Sequence, residues 1–87
     1  MKPREVLNTA RQQVTELTGF RVESVSSLER DGDDQWLVTV EALELERVPN
    51  TMDLLASYEI TLSDDGDVVG FRRRRRYPRG AAEDGRS

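Results

Sequence analysis

Glu41, Glu44 and Glu46 alternate along one segment of the chain, with Asp53 a few residues on. Carboxylates so placed could move protons or hold a divalent cation. Neither use finds its complement. The 87-residue chain has no histidine and no cysteine. The commonest general base near neutral pH, the commonest metal ligand and the thiolate nucleophile are therefore all missing. A Ser–His–Asp triad and a His/Cys zinc site are excluded, as are disulfides, and the lack of cysteine suits a reducing cytosol. The clusters Asp31–Asp34 and Asp64–Asp67 lack the spacing of a calcium loop closed by a bidentate Glu. There is no Gly-rich phosphate loop. The expectation is a protein that is not an enzyme and carries no cofactor or metal. Alternating glutamates then read as a solvated strand face.

Arg72 to Arg76 form the strongest charge feature in a chain of net charge −4. Phosphates of nucleic acid are one target for such a run. Against that stand the net charge and the lack of a second basic cluster or interleaved aromatics, so nucleic acid is an unlikely partner. A strand also splits the five between two faces, three and two. A second reading pairs the arginines across the sheet with Glu41, Glu44, Glu46 and Glu59. Exposed pairs of that kind contribute only about 0–1 kcal/mol each. A third has them dock a partner protein, with Tyr77 as an aromatic anchor beside them. The second and third readings carry equal weight.

The elements that must position these residues follow from spacing. Val6, Ala10, Val14 and Leu17 form one apolar stripe, widened by Leu7, and predict a helix over Pro3 to Thr18. Pro3 suits its first position, and Gly19 suits a left-handed end of Schellman type with Phe20 folded back. Phe20 to Glu29 reads as a strand with a bulge near Ser24, because Val25 breaks the parity of Phe20 and Val22. Gln35 to Arg47 is the longest strand. Trp36, Val38, Val40 and Ala42 share a face, whereas Leu43 and Leu45 fall on the other phase. Either a bulge near Ala42 returns both leucines to the core, or both faces become partly apolar there. Asn50 or Thr51 can cap a short helical turn through Leu55, with Asp53 near its positive end. A hairpin then joins Ser57–Leu62 to Asp67–Tyr77 across Ser63–Gly66, pairing Ile60 with Val69 and Tyr58 with Phe71. The fold class is α+β: an N-terminal helix packed on a four-stranded antiparallel meander. Residues 1–79 make a single domain, and residues 80–87, with nothing to bury, make a disordered tail. No apolar run is long enough to span a membrane, and no signal-peptide core precedes the fold.

Several separated blocks share one order and spacing. They are Trp36-Leu37-Val38-Thr39-Val40-Glu41, Glu44 to Pro49, Asp53 to Glu59, Gly66 to Phe71, and Arg73 to Tyr77. This pattern resembles the gas vesicle protein O family, accessory proteins for building the gas-filled protein shells of floating microbes. The resemblance covers about half the chain. It implies a cytoplasmic, gas-vesicle-associated accessory protein that acts in assembly through protein–protein contacts. The implied partners are other gas vesicle proteins, namely assembly factors and the small hydrophobic shell protein. Among the matched positions, Trp36, Pro49, Tyr58, Gly66 and Gly70 are assigned to the fold. Glu44, Arg47, Arg73, Arg76 and Tyr77 are assigned to docking. The outline of helix, Trp-x-Val-x-Val strand and Gly-turn hairpin also looks like PepSY-type modules. A PepSY-like binding or inhibitory module is one alternative, and a nucleic-acid-binding regulator acting through Arg72–Arg76 is another.

Overall fold

In the computed structural model, residues 1–80 are described; the tail expected at 80–87 lies outside them except for Gly80. The order is α1 (Pro3–Thr18), β1 (Arg21–Arg30), β2 (Gln35–Leu45), a 3-10 turn at Asn50–Met52, β3 (Leu54–Ser63) and β4 (Val68–Pro78). The four strands form one antiparallel sheet in the order β1-β2-β3-β4, the expected meander. α1 covers one face and packs mainly on β1, β2 and β3. Val6, Ala10 and Val14 are buried there against Trp36, Val38, Val40, Ala42, Ala56, Tyr58, Ile60 and Leu62.

The helix ends as its sequence requires. Pro3 occupies the first turn, and the Lys2 N–H donates to Glu5 Oε1 at 2.8 Å. Gly19 is left-handed, and its N–H reaches the Thr15 carbonyl at 2.8 Å. The Phe20 N–H goes to the Thr18 hydroxyl, so the end is the simpler left-handed motif and not the Schellman pair. Leu17, expected in the stripe, is 53% exposed.

Bulges account for the remaining departures. β1 carries two, at Glu23 and Ser26, where one was expected. Each adds a residue against β2, so Val22, Val25 and Leu28 stand opposite Ala42, Val40 and Val38 and share the helix face. In β2 the irregularity is at Glu44, two residues beyond the expected place. Leu43 therefore stays on the far face, buried opposite Leu55, and Leu45 is exposed. Both faces are thus apolar at this end, the second of the two readings above. β3 begins at Leu54, earlier than expected; the turn ends at Met52, Pro49 takes the N-cap position in place of Asn50 or Thr51, and Asp53 lies at the turn's C-terminal end and not near its positive end.

The β3–β4 register also differs from the expected one. Ile60 pairs with Phe71 and Tyr58 with Arg73, with irregularities at Val69 and Arg74. The shift from the expected register is an even number of residues, so Tyr58 and Phe71 still share a face. They stack at 5.4 Å between ring centroids.

Candidate functional site

β4 is the outer strand and presents its five arginines to both faces. The irregularity at Arg74 sets the split. Arg73 and Arg76 pair with Tyr58 and Ala56 and so lie on the helix face, while Arg72 and Arg75 pair with Glu59 and Ser57 on the far face. Arg74 joins them there through an ion pair to Glu59 at 3.0 Å, and Arg72 reaches Glu59 at 2.9 Å.

On the helix face the centre is Glu44, pushed inward by its bulge. Its side chain is 2% exposed. It accepts a hydrogen bond from the Tyr58 hydroxyl, from Arg76 Nε at 2.8 Å, and from Arg73 Nη1 at 3.3 Å to both oxygens. Burial alone would raise the Glu44 pKa, but hydrogen bonds from Tyr58, Arg76 and Arg73 outweigh it and hold the carboxyl below its ordinary value. Burial and the same carboxylate push Tyr58 up to about 12.

On the far face the centre is Glu41. It accepts hydrogen bonds from Ser26 Oγ at 2.7 Å, Ser57 Oγ at 2.6 Å and the Tyr77 hydroxyl. One carboxylate thus ties together all four strands. Burial and the bond to Glu41 push Tyr77 up to about 12. The Arg75 guanidinium lies 4.7 Å from the centre of the Tyr77 ring. A groove of about 530 Å³ opens above, lined by Ser26, Thr39, Glu41, Ser57, Arg74, Arg75 and Tyr77.

A third cluster closes the end of this face. Arg79, just past β4, holds Glu23 of β1 with two parallel bonds of 3.0 and 2.7 Å. Its Nε and Nη2 also reach Asp53 Oδ2 at 3.3 and 3.2 Å, and its N–H bonds the Asp53 carbonyl. The other Asp53 oxygen accepts from the Arg47 N–H at 2.7 Å. β1 and β4 are the two ends of a sheet whose neighbouring strands lie about 4.8 Å apart. Arg79 and Glu23 together reach across that width at this end of the sheet.

The structure therefore brings together three of the five residues assigned to docking and separates two. Glu44, Arg73 and Arg76 form one cluster. Tyr77 is on the opposite face, and Arg47 is exposed in the loop after β2, its backbone bonded to Asp53. Of the residues assigned to the fold, Trp36 is buried and donates its indole N–H to Asp64 at 3.3 Å. Tyr58 is core, and Pro49 opens the 3-10 turn after a cis bond from Val48. Gly66 has φ 93°, which only glycine adopts readily, in the β3–β4 turn. Gly70 has ordinary backbone, and a Cβ there would meet the Thr61 side chain at 3.5 Å, so nothing at that position demands glycine. Sequence reasoning did not single out Glu23, Ser26, Ser57 or Arg79, and it marked Arg75 only as a member of the Arg72–Arg76 run. An acid within β1 and a lone arginine past Pro78 were the available signals, and both become meaningful only when the two ends of the sheet are laid side by side. No group of three or more acidic residues among those described is placed to hold a metal ion.

A family model described as "Gas vesicle synthesis protein GvpO" matches residues 1–83. The chain belongs to the gas vesicle protein O family. It is 54% identical over 81 residues to gas vesicle protein O of a Streptomyces species, an alignment covering 93% of this chain and 62% of that relative. Gas vesicle protein O of Haloferax mediterranei is 38% identical over 71 residues, covering 82% of this chain and 51% of its own length. Gas vesicle protein O1 of Halobacterium salinarum is likewise 38% identical over 71 residues, covering 82% of this chain and 59% of the relative. The chain thus spans less than two thirds of each of these gas vesicle proteins. No solved structure matches.

Proposed function

We propose that the protein is a non-enzymatic accessory factor in gas vesicle assembly, acting through contacts with other gas vesicle proteins in the cytoplasm. The observation that carries the reading is family membership over residues 1–83. The shape of the molecule suits it. The polar clusters on Glu41 and Glu44 are carboxylates bonded by hydroxyls and guanidiniums of neighbouring strands, an arrangement suited to holding the sheet together. β4 is an uncovered edge whose apolar residues Val68, Val69 and Phe71 are 36–51% exposed beside its arginines. An edge of this composition fits a protein partner better than a phosphate backbone, since four of the five arginines already face Glu44 or Glu59. No helix among the described residues is long and apolar enough to cross a membrane.

Deletion of the coding sequence from a vesicle-forming host tests the reading, together with affinity capture against each co-encoded gas vesicle protein. The expected result is loss of vesicles, restoration by the reintroduced gene, and direct capture of at least one such protein. Undiminished vesicles together with no captured gas vesicle protein overturn it.

A further inference from the structure

We infer that the groove on the far face of the sheet docks an acidic segment of a partner protein, with Arg75 as the residue that receives its carboxylate. This rests on, and sharpens, the reading of the chain as an assembly factor.

The argument begins with which arginines are committed. Arg73 and Arg76 are both bonded to Glu44, a carboxylate whose side chain is 2% exposed, and Arg72 and Arg74 share Glu59. Among the described residues, Arg75 is the only member of the run without a carboxylate partner. It is also the one held in place by an aromatic ring, 4.7 Å from the centre of Tyr77. The ring holds the guanidinium from one side, and its N–H groups, which bond no carboxylate among the described residues, can take one with two parallel bonds. Tyr77 cannot easily turn away, because its hydroxyl is bonded to Glu41, which Ser26 and Ser57 fix in turn. The receiving group is therefore preorganised across four strands, and preorganisation lowers the cost of binding.

Charge selects the occupant. The far face of β4 carries Arg72, Arg74 and Arg75 against the two carboxylates of Glu59 and Glu41, inside a chain of net charge −4. A single partner carboxylate completes the pairing. A phosphate chain would place many charges beside Glu41 and Glu59 and meet repulsion from both. The groove, about 530 Å³, has room for several side chains, and its Thr39 hydroxyl on the floor can bond a peptide backbone.

The test uses the full chain and two kinds of probe. In the first arm, NMR follows the Arg75 side-chain N–H and the Tyr77 ring while hexaglutamate is titrated, with hexaglutamine and a single-stranded oligonucleotide as controls. Saturable shifts confined to the groove with hexaglutamate, weakened about tenfold or more by Arg75→Gln at unchanged melting temperature, support the inference. No response to hexaglutamate, or a tighter response to the oligonucleotide at the same signals, overturns it. In the second arm, Arg75→Gln is compared with the unaltered chain against each captured gas vesicle protein. A gas vesicle partner bound equally by both leaves the assembly reading in place and overturns the groove. A positive first arm with no gas vesicle protein captured leaves the groove in place and removes the assembly reading.

Discussion

Glu44 shows how much one residue's surroundings change the meaning of an ion pair. Exposed arginine–glutamate pairs are worth little, and on that basis Arg73→Gln with Arg76→Gln would leave stability almost untouched. The carboxylate they serve is 2% exposed, however, so the double variant strips a buried charge of all but the Tyr58 hydroxyl. The expected cost is about 1–3 kcal/mol, measurable in a denaturant titration. An unchanged midpoint would show that water replaces both guanidiniums at no cost. The same cluster fixes a pH dependence. The Glu44 pKa is lowered on folding, so its contribution is complete above its ordinary value of 4.5 and is lost as the pH falls through the lower folded value. Glu44→Gln should therefore flatten the acid limb of stability against pH. Tyr58 and Tyr77 act in the opposite sense. Their pKa values are raised from 10.0 to about 12, so their contribution is complete below 10 and is lost as the pH rises through about 12. Tyrosinate absorbance in an alkaline titration should lag behind that of free tyrosine. In Tyr77→Phe the absorbance change should halve while the lag persists, and loss of the lag would locate the effect in Tyr77 alone.

Individual elements differed in how much the sequence disclosed about them. α1 was legible to the residue at both ends, because Pro3 and Gly19 act locally and the stripe repeats every three or four positions. The buried face of β2 was legible for the same reason, with Trp36, Val38, Val40 and Ala42 in strict alternation. β1 was half legible. Its apolar residues Val22, Val25 and Leu28 recur every third position, a period that belongs to neither a flat strand nor a helix and that two bulges produce. One parity break announces one bulge; the second appears only when β2 is laid alongside. The hairpin register failed in part by the same cause: the extra residue at Val69 supplies one of the two residues of shift, and the turn, which closes from Ser63 to Asp67, supplies the other. The docking residues were separated for a related reason. Arg73, Arg76 and Tyr77 look contiguous in sequence, yet they divide between the faces. Trp36, at the head of the alternating face, carries the element-scale prediction. It is 8% exposed, and Trp36→Ala should cost about 3–5 kcal/mol, enough to unfold a domain of this size. A thermal melt near the wild-type midpoint would contradict its place in the core.

At the scale of the whole molecule, the sheet of an acidic chain gathers much of its positive charge along one edge strand. One end of the sheet is tied by Arg79, which reaches Glu23 of β1 as well as Asp53. Glu23 and Asp53 have side chains 23% and 8% exposed, so Arg79→Gln should cost about 1–3 kcal/mol and loosen this end of the sheet, seen as faster amide exchange in β1 and β4. The distribution of charge also decides how the protein meets polyanions. Nucleic-acid affinity rises with the number of phosphates neutralised and falls steeply with salt. Five consecutive arginines would ordinarily suggest several such contacts. Here they are split between two faces, and four of them are shared between Glu44 and Glu59, in a molecule of net charge −4. Few phosphates can be neutralised at once, and the rest of the surface repels the strand. Fluorescence anisotropy with duplex and single-stranded DNA should therefore show at most weak association at physiological salt, without sequence preference and lost on modest addition of salt. A tight, sequence-selective complex would mean that the arginines exchange their glutamates for phosphates, and would replace the docking of an acidic protein segment by the reading of nucleic acid as the partner of this edge.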